Sequence, residues 1–157
     1  MIVAVSVCSI RIIQCIRQGY DKGEYFMTPF FFNTLKYLAT LLTAIFAFYY
    51  KLGASDIQAA WLLFAIISSF YSFFWDLMMD WDLLQKNNLH PLLREKLIFG
   101  SPRIYYLIIV GNFIMRLAWI ITISPKLAAF LGNNNLVFLV TGLIEIFRRG
   151  IWNLLRV

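Results

Sequence analysis

Histidine and cysteine are scarce in this sequence, and their spacing limits the chemistry that they can support. The 157 residues include one histidine, His90, and two cysteines, Cys8 and Cys15. A zinc site needs ligands at short, defined spacings such as Cys-x-x-Cys, and the sequence has no such group. Cys8 and Cys15 are seven residues apart, which on a helix is about 10 Å and too far for a disulfide. The sequence therefore predicts no metal, no disulfide and no cofactor.

Motifs that mark common enzyme sites are also missing. The sequence has no glycine-rich phosphate loop, no Gly-x-Ser-x-Gly elbow and no visible pair of nucleophile and base. One alternative is a membrane-embedded enzyme acting on a phosphorylated lipid or sugar, with Asp76 and Asp80 holding a metal ion. We expect instead that the protein is not an enzyme.

Charged residues are few for a water-soluble domain. They make up 14% of the sequence, hydrophobic residues make up 61%, and the mean hydropathy is +0.74. Soluble domains average about 25% charged residues, so a lipid bilayer is the better solvent for this chain. The net charge of +6 is compatible with nucleic-acid binding. However, the basic residues form no single patch and several lie inside apolar runs, so we expect no nucleic-acid partner.

Long apolar runs predict an all-α, polytopic transmembrane bundle with four full spans. A span needs about 20 residues, and the candidates are residues 29–50, 57–79, 104–124 and the segment from the turn at 132–135 to about 155. Residues 1–10 lack the basic start and cleavage site of a signal peptide, and residues 1–16 predict a partial N-terminal helix. The sequence shows no repeat or linker, so residues 1–157 form one predicted domain.

The basic residues of the connections predict the orientation of these spans. With four crossings, seven basic residues share one side: Arg17, Lys22, Lys86, Arg94, Lys96, Arg103 and Arg156. The other side has two, Lys51 and Lys126. Because basic connections stay on the cytosolic side, the 80–103 loop and the C-terminus are predicted to be cytosolic.

Polar residues inside the spans fall on one face of each helix, at 100° per residue. The four stripes are Asn33, Lys36, Thr40 and Thr43; Ser69, Ser72, Asp76 and Asp80; Tyr105, Asn112, Arg116 and Trp119; and Thr141, Glu145, Arg148, Arg149, Trp152 and Arg156. A charge at the centre of a spanning helix costs about 2.5–3.5 kcal/mol. The stripes are therefore predicted to face one another and not lipid.

The charges within these stripes have two interpretations. They can simply pair, Asp76 or Asp80 with Arg116 and Glu145 with Arg148 or Arg149. Alternatively they form an anion site, because the four cations within the spans (Lys36, Arg116, Arg148 and Arg149) against three carboxylates leave one positive charge over. Guanidinium groups present forked donors that match phosphate or carboxylate. The pattern thus favours a membrane protein that handles anions, without identifying the anion.

A set of short motifs in fixed order resembles a known family. The motifs are Gln14-Cys15-Ile16-Arg17, Asn33-Thr34-Leu35-Lys36-Tyr37, Tyr71-Ser72-Phe73-Phe74-Trp75-Asp76 with Asp80-Trp81, Leu93-Arg94-Glu95, Arg116-Leu117-Ala118-Trp119 and Glu145-Ile146-Phe147-Arg148-Arg149-Gly150-Ile151-Trp152-Asn153. Together they look like the EXS domain, the C-terminal membrane domain of eukaryotic phosphate exporters and of related Golgi membrane proteins. The resemblance covers about residues 11–156.

The resemblance implies a helical bundle with a central route for inorganic phosphate. The positions that match the family's pathway residues are Lys36, Tyr37, Arg116, Trp119, Arg148 and Arg149, and the acidic partners are Asp76, Asp80 and Glu145. The alternative within the family is an early-secretory (Golgi) protein that retains or sorts other proteins, with phosphate handling secondary. The implied location is accordingly the Golgi or endomembranes, or the plasma membrane.

Three departures from the family pattern bear on completeness. The family's Arg-Arg-Tyr-x-Asp-Thr run appears here as Arg17-Gln18-Gly19-Tyr20-Asp21-Lys22. The regulatory SPX domain and the upstream membrane helices of the family are absent from this sequence. We therefore expect an N-terminally incomplete EXS domain, with further helices coming from a longer chain or from other copies in a homo-oligomer.

The predicted topology can be tested with accessible tags. A tag inserted between Lys86 and Arg94 should be cytosolic, and one in the turn at 132–135 should face the lumen or the exterior. Protease protection or glycosylation mapping reads out the side of each tag. Two tags on the same side would contradict the four-span topology.

Overall fold

The structure is a computed structural model that describes residues 2–23, 29–84, 93, 100–123 and 132–156. Its helices are α1 (Ile2–Asp21), α2 (Pro29–Lys51), α3 (Gln58–Trp75), α4 (Pro102–Arg116), α5 (Ile120–Ile123) and α6 (Asn134–Leu155). Short 3₁₀ turns cover Ser55–Ile57 and Leu117–Trp119, and a π-helical turn covers Asp76–Asp80. The described residues contain no strand, which confirms the predicted all-α class.

Helix starts agree with the local sequence signals. α2 begins at Pro29, where a proline loses no hydrogen bond because the first helical N–H has no partner within the helix. Ahead of α6, Gly132 has a φ of +73°, and the Asn133 side chain accepts a hydrogen bond of 3.1 Å from the Asn135 amide. This is an N-cap that satisfies a free amide of the first turn. Thr28, whose place before Pro29 in the sequence predicts an N-cap, lies outside the described residues.

Two helical segments, Pro29–Lys51 and Ser55–Asp80, are long and apolar enough to cross a membrane. The predicted third span is divided, since α4 ends at Arg116 and a 3₁₀ turn follows. The predicted fourth span, α6, has sufficient length but carries Glu145, Arg148 and Arg149. The count of four full spans therefore stays a prediction. So does the orientation, because residues 85–92, including His90, and residues 94–99 and 124–131 lie outside the described part of the chain.

The chain divides into two units, and the first ends at Ser72. In this unit α1 packs along α2, and the Asn33 amide donates to Cys15 Sγ at 3.3 Å. The thiols of Cys8 and Cys15 are free and buried. Helices α2 and α3 stack two aromatic pairs, Phe46 on Phe64 and Tyr50 on Trp61, with ring centroids about 5 Å apart. Aromatic packing thus holds the antiparallel α2–α3 pair together.

A hydroxyl pair also links α2 to α3. Thr40 Oγ1 donates to the Lys36 carbonyl at 3.0 Å and lies 3.1 Å from Ser68 Oγ. A hydroxyl has one proton to donate, so Ser68 must be the donor to Thr40. The polar stripe of α2 therefore meets a serine of α3 at this level.

The second unit begins at Phe73 and has its own apolar core. The buried members of that core are Leu77, Trp81, Leu83, Leu93, Tyr105 and Leu155. Trp81 is 1% exposed, and its indole N–H donates to the Trp152 carbonyl at 3.3 Å. The Trp152 indole in turn donates to Asp80 Oδ2 at 3.2 Å. Core packing and two indole hydrogen bonds therefore set the position of the end of α6 against the π-helical turn.

Replacing Trp81 tests this core. Trp81→Ala should lower the free energy of unfolding by about 3–5 kcal/mol, because it leaves a large cavity and removes the bond to Trp152. Met78→Ala is the matched control on the same turn, since Met78 is 56% exposed. Thermal unfolding in detergent compares the two variants. Equal losses would show that Trp81 is not central to the core.

Candidate functional site

Five of the nine predicted site residues form one hydrogen-bonded cluster within the second unit. They are Asp76, Arg116, Glu145, Arg148 and Arg149. Asp76 comes from the π-helical turn, Arg116 from the last turn of α4, and the other three from α6. Three separate backbone elements thus bring these charges together.

Asp76 is the acceptor on which the cluster converges. Its Oδ2 accepts a hydrogen bond from Arg116 Nη2 and one of 3.1 Å from Asn112 Nδ2. Arg148 Nη1 lies 3.6 Å from the same oxygen. The Asp76 side chain is only 5% exposed, and an ionised carboxylate in such a place needs charged or hydrogen-bonded partners. Two guanidinium groups and an amide supply them.

The π-helical turn positions Asp76 and Asp80. The Trp81 amide bonds to the Asp76 carbonyl at 2.9 Å, a step of five residues instead of the four of an α-helix. This wider turn changes the angle between side chains four residues apart. Asp76 meets the arginines, whereas Asp80 accepts a hydrogen bond from Trp152.

Glu145 accepts hydrogen bonds from both arginines of α6. Arg148 binds it through two bonds, Nε to Oε2 at 2.9 Å and Nη2 to Oε1 at 2.8 Å. Arg149 Nε donates to Oε1 at 2.8 Å. The two arginines differ sharply in exposure, because neighbouring helical residues point about 100° apart. The Arg148 side chain is 10% exposed and that of Arg149 is 71% exposed.

The cluster carries more positive than negative charge. Three arginines face two carboxylates, which leaves a formal charge of one positive unit. The Arg116 side chain is only 15% exposed. Its Nε is buried and has no hydrogen-bond acceptor among the described residues. Buried N–H donors are almost always paired. The cluster therefore combines an unused guanidinium donor with one surplus positive charge.

The other predicted site residues have different surroundings. Trp119 is half-buried on the 3₁₀ turn that follows Arg116. Lys36 and Tyr37 lie on α2 in the first unit, where the Lys36 ammonium is 4.9 Å from the centroid of the Tyr37 ring. This distance fits a cation–π contact.

The metal alternative for Asp76 and Asp80 has no further ligands in the described part of the chain. There, no three His, Cys, Asp or Glu side chains are grouped so that they could hold a metal ion. Asp76 instead accepts from arginine and asparagine, and Asp80 from tryptophan.

Asn112 is a member of the cluster that was not among the predicted pathway residues. It is 1% exposed and donates a hydrogen bond to Asp76. Its Oδ1 lies 3.5 Å from Arg148 Nη1. Its place on the polar stripe of α4, four residues before Arg116, is the signal that could have identified it. A neutral amide draws less attention than a charge, although buried amides need partners as well.

Comparison with known proteins identifies the family. The family model described as "EXS family" matches residues 1–157. The chain is 36% identical to the phosphate transporter PHO1 homolog 4 of Arabidopsis thaliana over 157 residues, 99% of this chain and 20% of that protein. It is also 36% identical to solute carrier family 53 member 1 of Homo sapiens over 156 residues, 94% of this chain and 22% of that protein.

The chain belongs to the EXS family.

This family assignment confirms the resemblance given by the ordered motifs. Together with the two long apolar helices, it supports an integral membrane protein. The EXS chain spans about a fifth of the length of the relatives that it matches.

A double-mutant cycle tests the central pair of the cluster. Asp76→Asn and Arg116→Leu should each lower the free energy of unfolding by about 3–5 kcal/mol, since each leaves a buried charge without its partner. The double variant should lose less than the sum, by about 1–3 kcal/mol. Unfolding in detergent measures all four proteins.

The control cycle pairs Asp76→Asn with Arg17→Leu, because the Arg17 side chain is 81% exposed and lies in the first unit. These two effects should add. An additive Asp76–Arg116 cycle would mean that the contact contributes nothing to stability.

Proposed function

We propose that this EXS chain forms part of a membrane pathway for inorganic phosphate. Arg116 and Arg148 supply the donors that bind the anion. The observation that carries the proposal is the buried Nε donor of Arg116, which is unused among the described residues, in a cluster whose three arginines outnumber its two carboxylates. Guanidinium forks match the oxygens of phosphate in pairs.

Charge balance supports an anion as the ligand. In the cluster of Asp76, Arg116, Glu145, Arg148 and Arg149 the net charge is one positive unit. Phosphate near neutral pH carries between one and two negative charges, since its second pKa is close to 7. Binding would therefore relieve the repulsion between Arg116 and Arg148, which share one carboxylate oxygen.

The relatives support phosphate as the anion. Those of Arabidopsis thaliana are named phosphate transporters. On this proposal Asp76 and Glu145 hold the arginines in place, while Lys36, Tyr37 and Trp119 belong to the same pathway. The direction of transport is proposed to be export, as in the exporters that the motifs resemble.

Leucine substitutions of the three arginines test the proposal and show how much each arginine contributes to phosphate flux. Arg116→Leu and Arg148→Leu should each reduce phosphate flux by at least about tenfold, because losing a buried charged partner costs more than the 1.4 kcal/mol that corresponds to tenfold. Arg149→Leu is the matched comparison, since it also bonds to Glu145 but is largely exposed. Its effect should be smaller. Flux is measured as phosphate release from vesicles that hold the complete protein.

Lysine substitutions separate charge from geometry. Arg148→Lys keeps the charge but cannot form two parallel bonds, so it should recover only part of the flux. Arg17→Leu controls for removal of an exposed positive charge. Parental flux in folded Arg116→Leu and Arg148→Leu proteins would mean that these arginines only stabilise the fold, and the proposal would be wrong.

A further inference from the structure

An uncharged side chain lies between an anion and a cation in the middle of the cluster. Asn112 Nδ2 is 3.1 Å from Asp76 Oδ2, and Asn112 Oδ1 is 3.5 Å from Arg148 Nη1. The residue is 1% exposed. It therefore joins the π-helical turn to α6 from its position on α4.

The orientation of this amide follows from the chemistry of its neighbours. A carboxylate only accepts hydrogen bonds and a guanidinium only donates them. The amide nitrogen must consequently face Asp76 and the amide oxygen must face Arg148. An aspartate in this place could accept from Arg148 but would repel Asp76, and a leucine could do neither.

The amide oxygen and Glu145 bind different nitrogens of Arg148. Glu145 lies on the same helix as Arg148 and holds its Nε and Nη2 at 2.9 and 2.8 Å. Nη1 lies 3.5 Å from Asn112 and 3.6 Å from Asp76, which belong to other elements. Without Asn112, the two short bonds to Glu145 would draw the guanidinium along α6.

We propose that Asn112 is a positioning residue for the anion site, which keeps the guanidinium of Arg148 beside that of Arg116. The expected effect of Asn112 on anion affinity rests on the proposed function. Two guanidinium groups repel each other, and an anion that accepts from both requires them at a fixed spacing. Holding them there before the anion arrives lowers the cost of binding, so the loss of Asn112 should weaken affinity more than it slows maximal flux.

Asn112→Leu tests this in vesicles that contain the complete protein. The KM for inorganic phosphate should rise by about tenfold, equivalent to 1.4 kcal/mol, while maximal flux per folded molecule stays within about twofold. Gly111→Ala is the matched control on the next residue, because an added Cβ would lie 3.9 Å from Met115 Cε, an ordinary contact. An unchanged KM in folded Asn112→Leu protein would overturn the proposal.

A swap of the two side chains gives a second test if the leucine variant does not fold. Asn112→Asp alone places two carboxylates side by side and removes the surplus positive charge, so phosphate transport should be lost. Adding Asp76→Asn restores the charge and the donor–acceptor order with the roles exchanged. The double variant should regain phosphate affinity relative to Asn112→Asp. No gain would contradict the donor–acceptor role of the amide.

A double-mutant stability cycle tests the contact between Asn112 and Arg148 without measuring transport. The losses in melting temperature caused by Asn112→Leu and Arg148→Leu should be non-additive, because each removes the same contact. Additive losses would show that Asn112 does not hold Arg148, and the proposal would be wrong. If the unaltered protein moved no phosphate, the proposed function would fail, whereas this cycle would still report on the contact between Asn112 and Arg148.

Discussion

The second unit depends on one carboxylate oxygen. Asp76 Oδ2 takes the donors of Arg116 and Asn112 from α4 and lies near Arg148 of α6. Its side chain is almost fully buried, so an ionised Asp76 without these donors would be strongly destabilising. The π-helical turn, α4 and α6 are thereby constrained to meet at a single point. Few arrangements of these elements satisfy that constraint.

Apolar packing next to this point makes the arrangement rigid. Trp81 follows the π-helical turn directly and lies in a core with Tyr105 of α4 and Leu155 of α6. The same three backbone elements thus contribute to the core and to the charged cluster. Core packing has no directional preference, whereas the hydrogen bonds at Asp76 and Trp152 fix the register. The two kinds of interaction depend on each other, since a shift in the core would separate the charges.

Helical periodicity explains why much of the cluster could be predicted from sequence. Residues three or four apart share a face, so Arg148 and Arg149 each lie within reach of Glu145 on α6, although their own side chains point about 100° apart. The high cost of a charge in an apolar helix then predicts that the stripes turn inward. Both arguments need only spacing and residue type. They do not depend on the details of tertiary packing.

The choice between Asp76 and Asp80 as the partner of Arg116 could not be predicted in the same way. Asp76 and Asp80 are four residues apart, so an α-helix would place both on one face and either could bind Arg116. The packed structure distinguishes them, since Asp76 accepts from Arg116 and Asp80 accepts from Trp152. Asn112 was visible on its stripe, but its contacts with opposite charges exist only once three elements are packed.

Stability and the proposed anion binding place opposite demands on this cluster. Complete pairing of charges would be the most stable arrangement, but it would leave no attraction for an anion. One surplus guanidinium keeps that attraction and costs stability, because Arg116 and Arg148 are held close together on one oxygen. Glu145 limits the cost by bonding to Arg148 and Arg149 on their own helix. The neutral amide of Asn112 adds a contact across the helices without cancelling the remaining charge. The cluster can thus be held together by hydrogen bonds and still be positively charged, which is the state that an anion pathway requires.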